Sequence, residues 1–147
     1  MTKTGYEQDF YVWLMEQATH IRAKEWEALD IDNLAEELEA LGREQRHAIR
    51  SHLRILLIHL LKWACQPERR SESWRHSIGN ARAEIEGRLE MSPSLRRELP
   101  DLLAWAYPRA RRATADESGI PPTRFPETCP WSTEQVQDED FLPEEIP

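Results

Sequence analysis

Apolar residues recur along this chain at intervals of three and four and almost nowhere in alternation. That spacing collects side chains on one face of an α-helix, whereas a half-buried strand alternates. Tyr6, Phe10, Trp13, Gln17 and Ile21 form one stripe, with Leu14 and Ala18 beside it, while Asp9, Glu16 and Arg22 fall elsewhere. The pattern predicts an amphipathic surface helix over about Tyr6–Lys24 and a connector at Trp26–Asp30. The next segment is the longest. Asp30 or Asp32 is placed to cap it, and Leu34, Leu38, Leu41, Gln45, Ile49, His52, Leu56, Leu60 and Trp63 keep a period near 3.6. From Leu53 onward the apolar surface wraps around the helix, as in an element at the centre of a protein. Gly42 alone does not stop a helix, so one long helix, straight or bent, is expected up to the break at Pro67.

A third helix is predicted over about Ser73–Met91, with Trp74, Ile78, Ala81, Ile85 and Leu89 on one face. A fourth follows from about Ser94 to Glu117, carrying Leu95, Leu99, Leu102, Ala106 and Ala110 in register. Pro100 and Pro108 each remove a helical hydrogen bond, so either this helix is kinked or Pro100 opens a new one. Gly119 suits a helix C-cap. The remaining residues hold six of the ten prolines, yet include Phe125, Trp131, Val136, Phe141 and Leu142. A segment so apolar is expected to be an ordered strap lying on the helices, with a turn of helix capped by Ser132 and Gln135. The expected architecture is all-α: about four helices in a bundle around a long central one, with a Pro-rich C-terminal strap, residues 1–147 forming a single domain (1–118 bundle, 119–147 strap).

Charge adds an asymmetry. The net charge is −8, but residues 1–41 carry three basic and ten acidic side chains, residues 42–112 fifteen basic and eight acidic, and residues 113–147 one basic and nine acidic. An Arg-rich middle is a surface for nucleic acid or another anion. The plainer expectation is that the acidic ends lie against the basic helices within one molecule or a dimer. Cys65 and Cys129 have neither a CxxC spacing nor a catalytic signature. No apolar run approaches the roughly 20 residues that span a bilayer, and no secretory leader is read at the start. Together these features give the expectation of a cytoplasmic protein with reduced thiols and no membrane partner.

Four stretches carry a family likeness: YEQDFYVWLMEQ (Tyr6–Gln17), IDNLAEELEALGREQ (Ile31–Gln45), HLLKWACQPERRSESW (His59–Trp74) and FPETCPWSTEQVQDEDFLP (Phe125–Pro143), with SPSL at Ser92–Leu95. In order and coverage the chain resembles the bacterial domain-of-unknown-function family 29. The resemblance implies an all-helical domain in a bacterial cytoplasm and transfers no activity and no catalytic residues. Pro100 and Pro108 depart from the pattern.

The candidate chemistry is sparse. His52 and His59 share a face but lie seven residues apart, about 10.5 Å along a helix, too far for one metal. Glu44 and His47 have the Glu-x-x-His spacing of di-iron bundles, but no second such pair occurs. No metal and no cofactor are therefore expected. The acidic run Asp138-Glu139-Asp140 lacks the alternating ligands and glycine of a Ca²⁺ loop. The most loaded polar segment is Gln66-Pro67-Glu68-Arg69-Arg70 between Trp63 and Trp74. Arg69 and Arg70 with these indoles could clamp a phosphate or carboxylate; the alternative is that the arginines bond the last carbonyls of the long helix or pair with acids of the tail. Three classes of function stay open: a non-enzymatic protein-interaction module that self-associates, which the residues favour; a nucleic-acid or anion binder; and an enzyme whose pocket only the fold would assemble.

Overall fold

The computed structural model describes residues 5–147, which are predominantly helical and contain no strand. The helices are α1 (Phe10–Arg22), α2 (Ile31–Cys65), α3 (Glu72–Met91), α4 (Leu99–Ser118) and the short α5 (Thr133–Gln137), with 3₁₀ turns at Trp26–Ala28, Pro67–Arg69, Pro93–Glu98 and Pro122–Arg124. The chain divides into two compact units, Met1–Glu44 and Gln45–Pro147.

In the first unit, α1 begins later than its apolar stripe predicts, because Asp9 caps it and accepts a hydrogen bond from the Val12 amide at 3.0 Å. Tyr6 therefore precedes the helix, yet its ring still packs edge-on against Phe10 and Trp13. α1 ends in a Schellman motif: Glu25 N–H bonds the His20 carbonyl at 2.9 Å, Lys24 N–H bonds that of Ile21 at 3.0 Å, and Lys24 takes the left-handed conformation, φ 59°. Asp30 then organises the start of α2. Its carboxylate accepts from the Trp13 indole at 3.1 Å and the Asn33 amide at 2.8 Å, and its own N–H donates to the buried Gln17 side chain at 2.8 Å. These bonds, from Asn33 first, hold the Asp30 carboxyl below its ordinary range against the opposing effect of burial.

α2 runs unbroken through Gly42, where an added Cβ would meet nothing within 4 Å. The glycine there weakens the helix by about 1 kcal/mol with no packing return.

In the second unit, Leu53, Leu56, Leu57, Leu60 and Leu61 of α2 are almost completely buried. They pack with Ile78, Ile85 and Leu89 of α3 and with Leu102, Leu103, Ala106 and Ala110 of α4. Of the two readings of the fourth helix, the structure has the second. Pro93–Glu98 is a separate 3₁₀ stretch, and α4 starts at Leu99 with Pro100 in its first turn, where a missing N–H costs nothing. α4 continues through Pro108 and ends at Gly119, φ 75°, whose N–H bonds the Ala115 carbonyl at 3.0 Å.

The strap beyond Gly119 contributes Phe125 and Val136 to the same core, and Ile120, Cys129, Trp131 and Leu142 pack against it. Ser132 and Gln135 form the capping box that starts α5. Side chains of the helices catch the strap by its carbonyls. Tyr107 Oη donates to Pro126 O at 2.5 Å, and Arg111 donates to Phe125 O at 3.3 and 3.4 Å. Arg82, only 4% exposed, donates from Nε to Val136 O at 2.8 Å and from Nη2 to Gln135 O at 3.4 Å. The expected pairing of arginines with Asp138, Glu139 and Asp140 takes a weaker form: burial pulls the Arg82 guanidinium below its ordinary range, and Asp138 and Glu139 only oppose that shift. A buried carbonyl without a donor costs more than a solvated ion pair returns, so the carbonyls dominate.

Two substitutions test this packing. Leu60→Ala should destabilise by about 2–5 kcal/mol in chemical denaturation. Arg82→Leu should cost about 1–3 kcal/mol and raise hydrogen exchange across residues 120–147; Asp138→Asn should cost under about 0.5 kcal/mol. Equal losses for Arg82→Leu and Asp138→Asn would show that charge, not carbonyl capture, holds the strap.

Candidate functional site

The four residues singled out from the sequence lie at the end of α2 and just beyond it, and the structure only partly joins them. Trp63 is buried in the last turns of α2. Arg70, past the 3₁₀ turn, donates from Nε to Trp63 O at 2.8 Å, and its guanidinium stands 5.1 Å from the Trp63 ring. For Arg70 this is the capping alternative: the side chain satisfies a carbonyl left open by the helix end. The next carbonyl, of Ala64, accepts from Ile146 N–H at 2.9 Å. Arg75, not anticipated from the sequence, lies 5.5 Å from the same indole. Trp74 instead faces Lys62, whose Nζ is 5.9 Å from its ring and 2.6 Å from Glu117. Arg69 is exposed in the turn and makes no side-chain bond among the described residues.

The histidines of α2 do not converge. His59 Nδ1 bonds the Ile55 carbonyl at 2.8 Å, His52 approaches Glu84 at 4.0 Å, and His47 lies 3.3 Å from Arg50 Nη2. Among the described residues no three His, Cys, Asp or Glu side chains are grouped as a metal site would need.

One cleft of about 380 Å³ opens between α4 and the strap, lined by Leu103, Tyr107, Pro108, Cys129 and Trp131 among others. Two of its polar groups are committed: the Tyr107 hydroxyl to Pro126 O, and Cys129 Sγ to Trp131 O at 3.5 Å; Glu127, Thr128 and Thr133 also line it. Burial pushes the pKa of both groups up, so neither ionises near neutrality. Tyr107 and Cys129 therefore supply the cleft with shape and apolar surface but with neither an activated nucleophile nor a base.

The second unit also builds an arrangement that no motif announced. The Arg50 guanidinium, from α2, lies 4.3 Å from the Trp105 ring of α4, and that of Arg109 lies 4.0 Å from the same ring. Arg109 also donates to Trp105 O at 2.8 Å. The Nε of Arg50 is buried without a hydrogen-bond partner. Arg46 is paired with Glu98 at 3.0 Å and Arg96 with Glu86 at 2.5 Å. Arg54 and Arg112, both exposed, form no ion pair among the described residues. The described ion pairs of this unit thus run mostly within the basic middle, and Lys62–Glu117 is the one that reaches an acidic end. Arg50 and Trp105 are 55 residues apart, which is why spacing could not reveal them.

The first unit has a different character. Trp13 is its one buried apolar side chain among the described residues. Phe10, Tyr11, Met15, Ile21, Trp26, Ile31, Leu38 and Leu41 are all exposed, the last three by 65–67%. The acids here are engaged locally where they are engaged at all: Glu37 accepts a short hydrogen bond from Tyr6, and Glu39 lies 3.9 Å from Arg43.

The chain belongs to the family described as domain of unknown function DUF29, whose model matches residues 5–142. No characterised protein and no solved structure matches it. Among the described residues no helix is long and apolar enough to cross a membrane.

The chemistry of the cleft gives a direct check. Burial raises the thiol pKa of both Cys129 and Cys65, so alkylation by iodoacetamide should be slow at pH 7 and accelerate only above the ordinary thiol range. A thiol that reacts at neutral pH faster than free cysteine would mean that an activated nucleophile is present.

Proposed function

We propose that this protein is a non-enzymatic interaction module that associates with copies of itself, and that its first unit carries the contact surface. The observation behind the reading is the exposed apolar set of that unit. Large apolar side chains left in water forgo about 1.5–3 kcal/mol each, and contiguous groups of them mark contact surfaces in ordinary proteins. A unit of about 40 residues with one buried tryptophan is also too small to be stabilised by its own core, and association is a usual remedy at that size.

The alternative of anion binding at Arg69, Arg70, Trp63 and Trp74 has less support, because Arg70 already serves a helix carbonyl. The unpaired cysteines fit a reducing, cytoplasmic setting.

Leu38 and Leu41 are exposed, so replacing both by Ser should leave the melting temperature within a few degrees while lowering self-association. Light scattering coupled to gel filtration over a concentration series reads the effect. Wild-type mass should rise with concentration, and that of the double variant should stay at the monomer value. A wild-type chain that remains monomeric throughout would refute the reading.

A further inference from the structure

The arginines around Trp105 and the cleft beside α4 both belong to the second unit, and they adjoin. α2 and α4 run in the same direction there: Arg46 pairs with Glu98 at 3.0 Å, Arg50 lies against Trp105, and Lys62 pairs with Glu117. Arg54, one turn beyond Arg50, therefore comes level with Arg109, one turn beyond Trp105. Arg54, Arg109 and Arg112 are exposed, and none forms an ion pair among the described residues. Asp101 and Asp116 bound this basic face at its two ends on α4.

One step round α4 from Trp105 and Arg109, the exposed Ala104 and Pro108 lead into the cleft of about 380 Å³, whose walls include Leu103, Tyr107 and Trp131. That volume lies in the range of small-ligand pockets, about 300–1,000 Å³, and admits large apolar side chains. The second unit thus presents an apolar depression with positive charge along one border.

The first unit presents the converse. Ile31, Leu38 and Leu41, exposed at the start of α2, form an apolar ridge. Asp32 and Glu39, one step round the helix from Ile31 and Leu38, border it with negative charge. Asp32 forms no ion pair among the described residues, and Glu39 only a long one, 3.9 Å to Arg43. Residues 1–41 carry three basic and ten acidic side chains, so two first units brought face to face would repel.

We propose that copies of the chain associate head-to-tail: the ridge of one seats in the cleft of another, with its acids toward Arg54, Arg109 and Arg112. The proposal rests on the reading of the first unit as the contact surface and names the surface that receives it. Apolar burial supplies the attraction. Solvated ion pairs contribute little apiece, so the charges select orientation. Glu127, the acid that lines the cleft itself, repels the same acids and leaves them the arginine border. Because two different surfaces meet, every copy in such a contact keeps one of each for the next. Nucleic acid is the competing occupant of the arginines, but it brings no apolar ridge for the cleft, and the overall charge of −8 opposes it.

Complementation between variants tests this, read by sedimentation equilibrium, with circular dichroism melts confirming that each variant folds. Arg54→Glu/Arg112→Glu reverses two exposed charges of the receiving surface, and Ala104→Glu sets a charge at the cleft. Each should weaken self-association about tenfold or more. Leu38→Ser/Leu41→Ser disables the ridge. An equimolar mixture of Arg54→Glu/Arg112→Glu with Leu38→Ser/Leu41→Ser should form a one-to-one heterodimer and nothing larger, because the ridge of the former still meets the intact cleft of the latter. Wild-type association in either receiving-surface variant, or a mixture that stays monomeric, would overturn the head-to-tail contact while leaving association through the first unit intact. A wild-type chain that is monomeric at all concentrations would overturn both. Loss of binding to a single-stranded RNA oligonucleotide in Arg54→Glu/Arg112→Glu, with self-association unchanged, would assign the arginines to nucleic acid instead and overturn the proposal.

Discussion

The second unit depends on one constraint: the later half of α2 is apolar around most of its circumference, so it must be covered on more than one side. Leu53, Leu56, Leu57, Ile58, Leu60 and Leu61 are all buried, and a helix with 3.6 residues per turn cannot bury such a run against a single neighbour. α3 and α4 supply part of the wall, and the strap supplies Phe125 and Val136 to the same cluster. The strap is proline-rich and mostly without regular structure, so its carbonyls have few partners of their own. Laying it on a core therefore requires donors from outside, and Tyr107, Arg111 and Arg82 are those donors.

That requirement explains why an arginine, Arg82, is buried in a protein whose net charge is strongly negative. Arg82 is retained as a buried cation because its fork reaches two successive carbonyls at the end of α5. A lysine presents a compact ammonium on a flexible stem and would satisfy the same pair less rigidly. Arg70 and Arg109 do the same at carbonyls of α2 and α4, each also lying against an indole. Among the described residues Arg70, Arg82, Arg109 and Arg111 serve backbone carbonyls, while Arg43, Arg46, Arg75 and Arg96 pair with acids.

The first unit obeys a different rule. Its order comes from a small polar knot, in which the Asp30 carboxylate gathers the Trp13 indole and the Asn33 amide while Gln17 holds the Asp30 N–H. Hydrogen bonds fix geometry but contribute only about 0.5–1.5 kcal/mol each, and apolar side chains remain in water around them. A unit built this way is ordered by polar geometry and leaves most of its large apolar side chains in water.

The sequence by itself determined the all-α class, the single long helix through Gly42, the C-cap at Gly119, the capping box at Ser132 and the burial of Leu56 and Leu60. These follow from periodicity and local backbone chemistry, which act over a few residues and are written in order along the chain. It also placed Phe125 and Val136 in a segment too apolar to remain solvated. Only the tertiary structure decided that Asp9 starts α1 after Tyr6, that Pro100 opens a helix instead of kinking one, that Arg82 holds the strap by its carbonyls, and that Arg50 and Arg109 share Trp105. The two outcomes at Asp9 and Pro100 were choices between local alternatives of similar cost. Arg82 and Trp105 depend on groups more than fifty residues away, whose meeting is set by how whole helices pack and leaves no period in the sequence.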